Sequence, residues 1–110
     1  MIISNSNIFK GYEMTREHVL DYLNRNKGYI KNKYGIIKIG LLGSYARGEE
    51  NEQSDIDVVI EIEKNRKNIH TFFAFKRELE EAFDKKVDLG LESSIKPIVK
   101  QAIQKEIVYV

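Results

Sequence analysis

The sequence predicts an α/β (α+β) fold, a single small mixed sheet of about four strands packed with helices. Three observations carry that expectation. The runs IIKIGLL (36–42), DIDVVIEIE (55–63), VDLGL (87–91) and IVYV (107–110) have the length and β-branched content of strands. The segments before and between them place apolar residues at helical spacing. Finally, 110 residues suffice for one hydrophobic core and a single domain.

Residues 1–14 read as an N-terminal extension and 15–110 as the domain. A helix is expected over 15–33, where Val19, Leu20, Leu23 and Ile30 share a face, with Thr15 as N-cap and Met14 stapled against Val19. Gly35 breaks that pattern ahead of the first strand, which ends at Gly43. Residues 44–53 are short, polar and charged, fitting a turn or brief helix and then a loop. The next helix is expected over 68–84, its broad apolar face formed by Phe72, Phe73, Phe75, Leu79, Ala82 and Phe83, with the phenylalanines in the core. After the third strand, Ser94 is the expected cap of a last helix containing Ile95, Ile98, Val99, Ala102 and Ile103. Pro97 is tolerated in its first turn.

Composition excludes several function classes. Lys and Arg total 18 against 17 Asp and Glu, a formal charge of +1, so no strong field draws nucleic acid or an anionic membrane. The absence of cysteine excludes a disulfide frame, a thiolate zinc site and a cysteine nucleophile. The N-terminus MIISNSNIFKGYEM lacks the apolar core of a signal peptide, and no apolar run approaches the ~18–20 residues that span a bilayer. A soluble cytoplasmic protein with no membrane or direct nucleic-acid contact is expected.

Chemistry concentrates in GSYARGEENEQSDID, residues 43–57. Strand alternation puts Asp55 and Asp57 on one face, roughly 6–7 Å apart, and Ile56, Val58, Ile60 and Ile62 on the other, toward the core. Two such carboxylates raise each other's pKa unless a cation lies between them. Oxygen donors without nearby His or Cys suit a hard ion such as Mg2+, which also binds substrate phosphates and water. Asp88 alternates with Val87 and Leu89, so it joins the first two if its strand pairs beside residues 55–63. Three carboxylates can hold two ions about 3.5–4 Å apart and clamp both oxygens of an in-line phosphoryl displacement. Asp88 would also be placed to accept the proton of an attacking hydroxyl. Gly43 and Ser44 supply a phosphate-binding turn: the glycine admits phosphate to the backbone, while amides and the Ser44 hydroxyl donate to it. Arg47 is a further candidate nucleotide contact, with Glu49, Glu50 and Glu52 as competing partners. Each feature alone has a structural explanation; their joint phase points to function.

The spacing Gly43-Ser44-x10-Asp55-x-Asp57, followed by VDLG, resembles the signature of the polymerase-beta-type nucleotidyltransferase superfamily over about residues 15–110. The GSYARG form and the short length resemble its minimal nucleotidyltransferase (MNT) branch, whose members are typically antitoxins paired with a HEPN-domain RNase toxin. Larger relatives that modify antibiotics or nucleic acids carry additional substrate-binding parts. The resemblance implies a nucleotidyltransferase fold and the antitoxin of a type VII-like toxin-antitoxin system. The implied reaction is Mg2+-dependent transfer of AMP from ATP to a tyrosine hydroxyl of the HEPN partner, within a hetero-oligomer. By that likeness Asp55 and Asp57 are the metal pair, Asp88 the third ligand and base, and Gly43 with Ser44 the triphosphate turn. Two alternatives remain open: transfer to another acceptor, either a small molecule or another protein, and a non-catalytic antitoxin acting by occlusion.

Overall fold

Strands β1 (Ile36–Leu42), β2 (Ile56–Ile62), β3 (Val87–Leu91) and β4 (Val108–Tyr109) form one mixed sheet in the order β3-β2-β1-β4. This computed structural model describes residues 14–110, so residues 1–13 of the expected extension lie outside the described residues. The helices are α1 (Arg16–Arg25), α2 (Lys27–Tyr34), α3 (Gly43–Arg47), α4 (Ile69–Phe83) and α5 (Pro97–Ile103). β1 runs antiparallel to both β2 and β4, whereas β2 and β3 are parallel. Parallel neighbours need a crossover, and α4 supplies it.

Helix α1 starts where the sequence places it, the Thr15 side chain accepting the His18 N–H at 3.2 Å. The single helix expected over 15–33 is instead two. Asn26 breaks it with φ −101° and ψ 9°, and its side-chain amide donates to the Tyr22 carbonyl at 2.8 Å. An Asn side chain that competes for a helix carbonyl in this way offers the backbone an alternative to continuing. Gly35, at φ 73°, then ends α2 in the left-handed conformation.

The core lies between one face of the sheet and three helices. Val19 and Leu23 of α1, Ile30 and Tyr34 of α2, and Phe75, Leu79 and Phe83 of α4 pack with Leu41, Val58, Ile60, Val87 and Leu89. Phe75, Leu79 and Phe83 recur every four residues and so form one stripe. Phe73 stands two residues off that stripe and is 45 % exposed, and Ala82 is likewise exposed, so the apolar face of α4 is narrower than expected. Ser94 does not cap the last helix. It closes a 3-10 turn over Glu92–Ser94, and α5 begins at Pro97 without a side-chain cap, helped by proline's fixed φ. No residue of α5 is buried, and Ile98 is 77 % exposed. Among the described residues no helix is long and apolar enough to cross a membrane.

The other face of the sheet carries two cross-strand rows that matter for the site. One is Leu42, Asp57 and Asp88; the next is Gly40, Val59 and Gly90. Over this face the C-terminal segment is tied down by Glu92, a buried carboxylate just past β3. It accepts from Lys38 Nζ at 3.0 Å and the Tyr109 hydroxyl at 2.8 Å, and pairs with Lys100 Nζ at 3.2 Å. It thereby joins β1, β4 and α5. Burial alone would raise its pKa, but hydrogen bonds from Lys38, Tyr109 and Lys100 outweigh burial and hold it below the ordinary glutamate value. Stability gained from a depressed carboxylate is present above the unfolded pKa of about 4.3 and is lost as pH falls through the lower folded value. Glu92→Gln should therefore cost about 1–3 kcal/mol at neutral pH, the usual range for leaving such donors unmatched. The difference in thermal midpoint between wild type and variant should be full at neutral pH and shrink as acid protonates Glu92 in the folded protein.

Candidate active site

Gly43 follows β1 directly and opens α3 with φ 69°, a left-handed conformation that favours glycine. A side chain is excluded there for a second reason. A Cβ on Gly43 would collide with Asp57 Oδ2 and lie 3.2 Å from Asp57 Cγ. The first occupant of the space that the glycine leaves is thus the Asp57 carboxylate, rather than a phosphate. The β1–β2 register, with Leu42 opposite Asp57, produces that approach.

Asp57 and Asp88 stand directly opposite each other on the parallel strands. Both line a cavity of about 400 Å³ together with Gly43, Arg47, Val59, Gly90, Ile95, Ile103 and Glu106. Asp57 is half-buried and Asp88 exposed. Burial, then the charges of Asp88 and Asp55, push the Asp57 pKa above the ordinary aspartate value, with Arg47 acting in the opposite sense. Asp55 precedes β2, is exposed and does not line the cavity, yet its charge reaches Asp57. Of the three carboxylates expected together, two share the cavity and the third acts on it electrostatically.

Ser44 lies in the first turn of α3, half-buried and outside the cavity lining, with its carbonyl accepting the Glu49 N–H at 2.8 Å. Arg47 enters the cavity from the last turn of α3. Its Nε donates to Glu49 at 2.9 Å, one of the partners foreseen, and its Nη1 donates to Glu106 at 3.1 Å. The sequence gives no sign of Glu106 at the site, and places Ile95 and Ile103 only in the last helix. They come from the C-terminal segment, and only the tertiary fold brings them to the carboxylates.

The donor set fits a hard divalent cation. It contains carboxylate oxygens and no nitrogen or sulfur donor, and a cation would offset both the burial and the repulsion that raise Asp57. Among the described residues no group of three or more acidic, His or Cys side chains is gathered to hold a metal alone. Mg2+ commonly takes one or two carboxylates and completes its shell with phosphates and water, so two cavity aspartates suffice.

A fold that presents two aspartates from neighbouring strands beside a strand-to-helix glycine turn is that of a nucleotidyltransferase. The family model described as nucleotidyltransferase domain matches residues 23–110, and the chain belongs to that family and is a nucleotidyltransferase enzyme. Among its relatives is MJ1379 of Methanocaldococcus jannaschii, a provisionally named protein adenylyltransferase, 37% identical over 98 residues that cover 87% of this chain and 98% of the relative. The protein adenylyltransferase MntA of Thermococcus cleftensis is 32% identical over 97 residues, 88% of this chain and 97% of MntA. Two solved structures share the fold. A provisionally assigned minimal nucleotidyltransferase gives a TM-score of 0.74 at 24% identity, covering 86% of this chain and 95% of that one. The complex of tri-AMPylated HEPN toxin with MNT antitoxin from Shewanella oneidensis gives 0.54 at 23%, covering 80% of this chain and 69% of its own.

The contact between Gly43 and Asp57 sets a testable coupling. Gly43→Ala should destabilise through its left-handed backbone, roughly 1–2 kcal/mol, and additionally through displacement of Asp57. In an Asp57→Ala background only the backbone part should remain. Denaturant unfolding of the two single variants and the double variant measures the difference; equal costs in both backgrounds would show that Asp57 does not occupy this space.

Proposed function

We propose that this chain is an Mg2+-dependent protein adenylyltransferase and the antitoxin of a type VII-like toxin-antitoxin pair. In this reading it moves AMP from ATP to a tyrosine hydroxyl of a cognate HEPN-domain RNase toxin and silences it. The domain responsible is residues 15–110, and the reaction belongs in this reading to the cytoplasm. The observation that carries the reading is the pairing of Asp57 with Asp88 beside Gly43, in a chain whose relatives bear the name protein adenylyltransferase.

The residues divide the work. Amides of the Gly43 turn, the Ser44 hydroxyl and the Arg47 guanidinium hold the triphosphate, Arg47 exchanging its glutamate partners for phosphate oxygens. Asp57 and Asp88, with Asp55 beside them, would hold Mg2+. When bound, the ion supplies charge neutralisation on the phosphate oxygens. The tyrosine oxygen attacks the α-phosphorus, the bond from the α-phosphorus to the α,β-bridging oxygen breaks, and pyrophosphate leaves with that electron pair. The phenolic proton goes to Asp88, which is exposed and therefore open to an approaching protein.

Incubation with labelled ATP, Mg2+ and the candidate toxin tests the whole reading. Label and adenylate mass should appear on a toxin tyrosine as RNase activity falls. An unmodified stoichiometric complex without RNase activity would mean occlusion, and label on a small molecule would mean a different acceptor.

Asp88→Asn should leave MgATP binding weaker but detectable while transfer falls at least about 10²-fold, the usual contribution of a general base. Its rate should recover as pH approaches the tyrosine pKa of about 10, because the acceptor then ionises unaided. Full rescue by extra Mg2+ with no pH dependence would leave Asp88 a ligand and move the base to the partner.

A further inference from the structure

Two glycines flank Val59 in one row across the second face of the sheet, Gly40 on β1 and Gly90 on β3. Packing explains Gly40: a Cβ there would lie 2.6 Å from Ile107 Cγ2 and 3.1 Å from Tyr109 Cδ1. Nothing comparable explains Gly90. A Cβ on it would meet no atom within 4 Å, and its backbone lies outside the left-handed region. A glycine inside a strand weakens it, and one that neither packing nor conformation requires marks a place where something else approaches the backbone. Gly90 shares its face with Asp88 and lines the same cavity, walled by Ile95 and Ile103.

We propose that Gly90 is the floor of the nucleoside subsite, the bare stretch of strand against which the sugar and base of the bound nucleotide lie. This rests on the reading above that the site takes ATP. In an in-line displacement the acceptor and the leaving pyrophosphate lie on opposite sides of the α-phosphorus. Gly43 follows β1, Asp57 is on β2 and Asp88 on β3, so the transfer axis crosses the strands. Of the directions sideways from that axis, two keep the nucleoside against the sheet, and both run along the strands. In one direction lies the exposed, polar segment before Asp55. In the other, roughly 6–7 Å beyond Asp57 and Asp88, come Val59 and Gly90 with two isoleucines as walls. Only the second direction is lined by partly exposed apolar side chains, Ile95 and Ile103, with Val59 buried beneath. The cavity's volume of about 400 Å³ suits a small ligand.

Gly90→Val tests the subsite, with Gly90→Ala as the milder change. A Cβ meets no neighbour here and valine favours strands, so the thermal midpoint should hold in both variants. Calorimetric titration with MgATP should show affinity reduced at least about tenfold in Gly90→Val and less in Gly90→Ala, the scale on which a filled pocket discriminates. Titration with Mg-tripolyphosphate, which has no nucleoside, should be unchanged in both. Unchanged ATP affinity in Gly90→Val would overturn the proposal, and so would equal loss of ATP and tripolyphosphate. Unchanged ATP affinity with a raised KM for the protein acceptor would assign the floor to the acceptor instead. A wild-type protein that binds tripolyphosphate but not ATP would sink the functional reading itself, and is distinguishable because no variant is involved.

Discussion

Everything at the candidate site depends on the register between β2 and β3. Asp57 faces Asp88 because Ile56 faces Val87 and Val58 faces Leu89 on the other side of the sheet. These four apolar residues are buried, and each contributes roughly 1.5–3 kcal/mol by leaving water. The repulsion between two carboxylates near a surface is at most about 4 kcal/mol at 4 Å. A slip of one residue would relieve that repulsion but turn the apolar set toward the solvent face. The core wins, and the two aspartates are held together against their own charge. Two hydrogen bonds fix the entry to this register: Ile56 N–H to the Lys86 carbonyl at 3.0 Å, and Val87 N–H to Glu80 Oε2 at 3.0 Å.

The same logic extends to β1. Its register brings Leu42 opposite Asp57, so the residue after the strand must both reverse the chain and avoid the carboxylate. Glycine alone satisfies both demands. The turn that starts α3 and the aspartate of β2 are therefore one geometric unit, although fourteen residues apart in the chain. Arg47, projected from the end of that turn, is exposed, and its glutamate partners compete with water. Exposed pairs of this kind hold a side chain weakly and are screened by salt.

Much of this was legible in the sequence because it is encoded locally. The strands were visible as buried β-branched runs, Thr15 as a cap, and the phase of Asp57 and Asp88 from alternation alone. Cavity membership was less legible: Asp55 has the right phase but lies ahead of β2, where burial no longer constrains it. The failures have physical causes. Asn26 fits a helix by periodicity, and its side chain's bond to the Tyr22 carbonyl is invisible in a hydrophobic pattern. Phe73 is as apolar as Phe75, but only the stripe of α4 that faces the sheet is buried. Ser94 looked like a cap, yet the chain spends it in a 3-10 turn whose first residue, Glu92, is needed as a buried anchor. Glu92 could not have been read from sequence, since its partners Lys38, Lys100 and Tyr109 come from three separate elements.

The two faces of the sheet consequently differ in how they are stabilised. One is covered by α1, α2 and α4 through a continuous apolar core. The other is covered by a C-terminal segment in which α5 buries no residue and Ile107 is the buried apolar anchor. What holds this segment is mainly the Glu92 cluster, buried Ile107 and the two-residue strand β4. Segments with few buried apolar contacts open locally at lower free energy than a sheet interior. Asp57 therefore sits on a central strand backed by the apolar core and Asp88 on the edge strand paired with it, while Ile95, Ile103 and Glu106 form a wall from the segment that buries little. Such a division keeps the aspartates fixed at their mutual spacing and lets the wall adjust to a ligand without disturbing the core that sets that spacing.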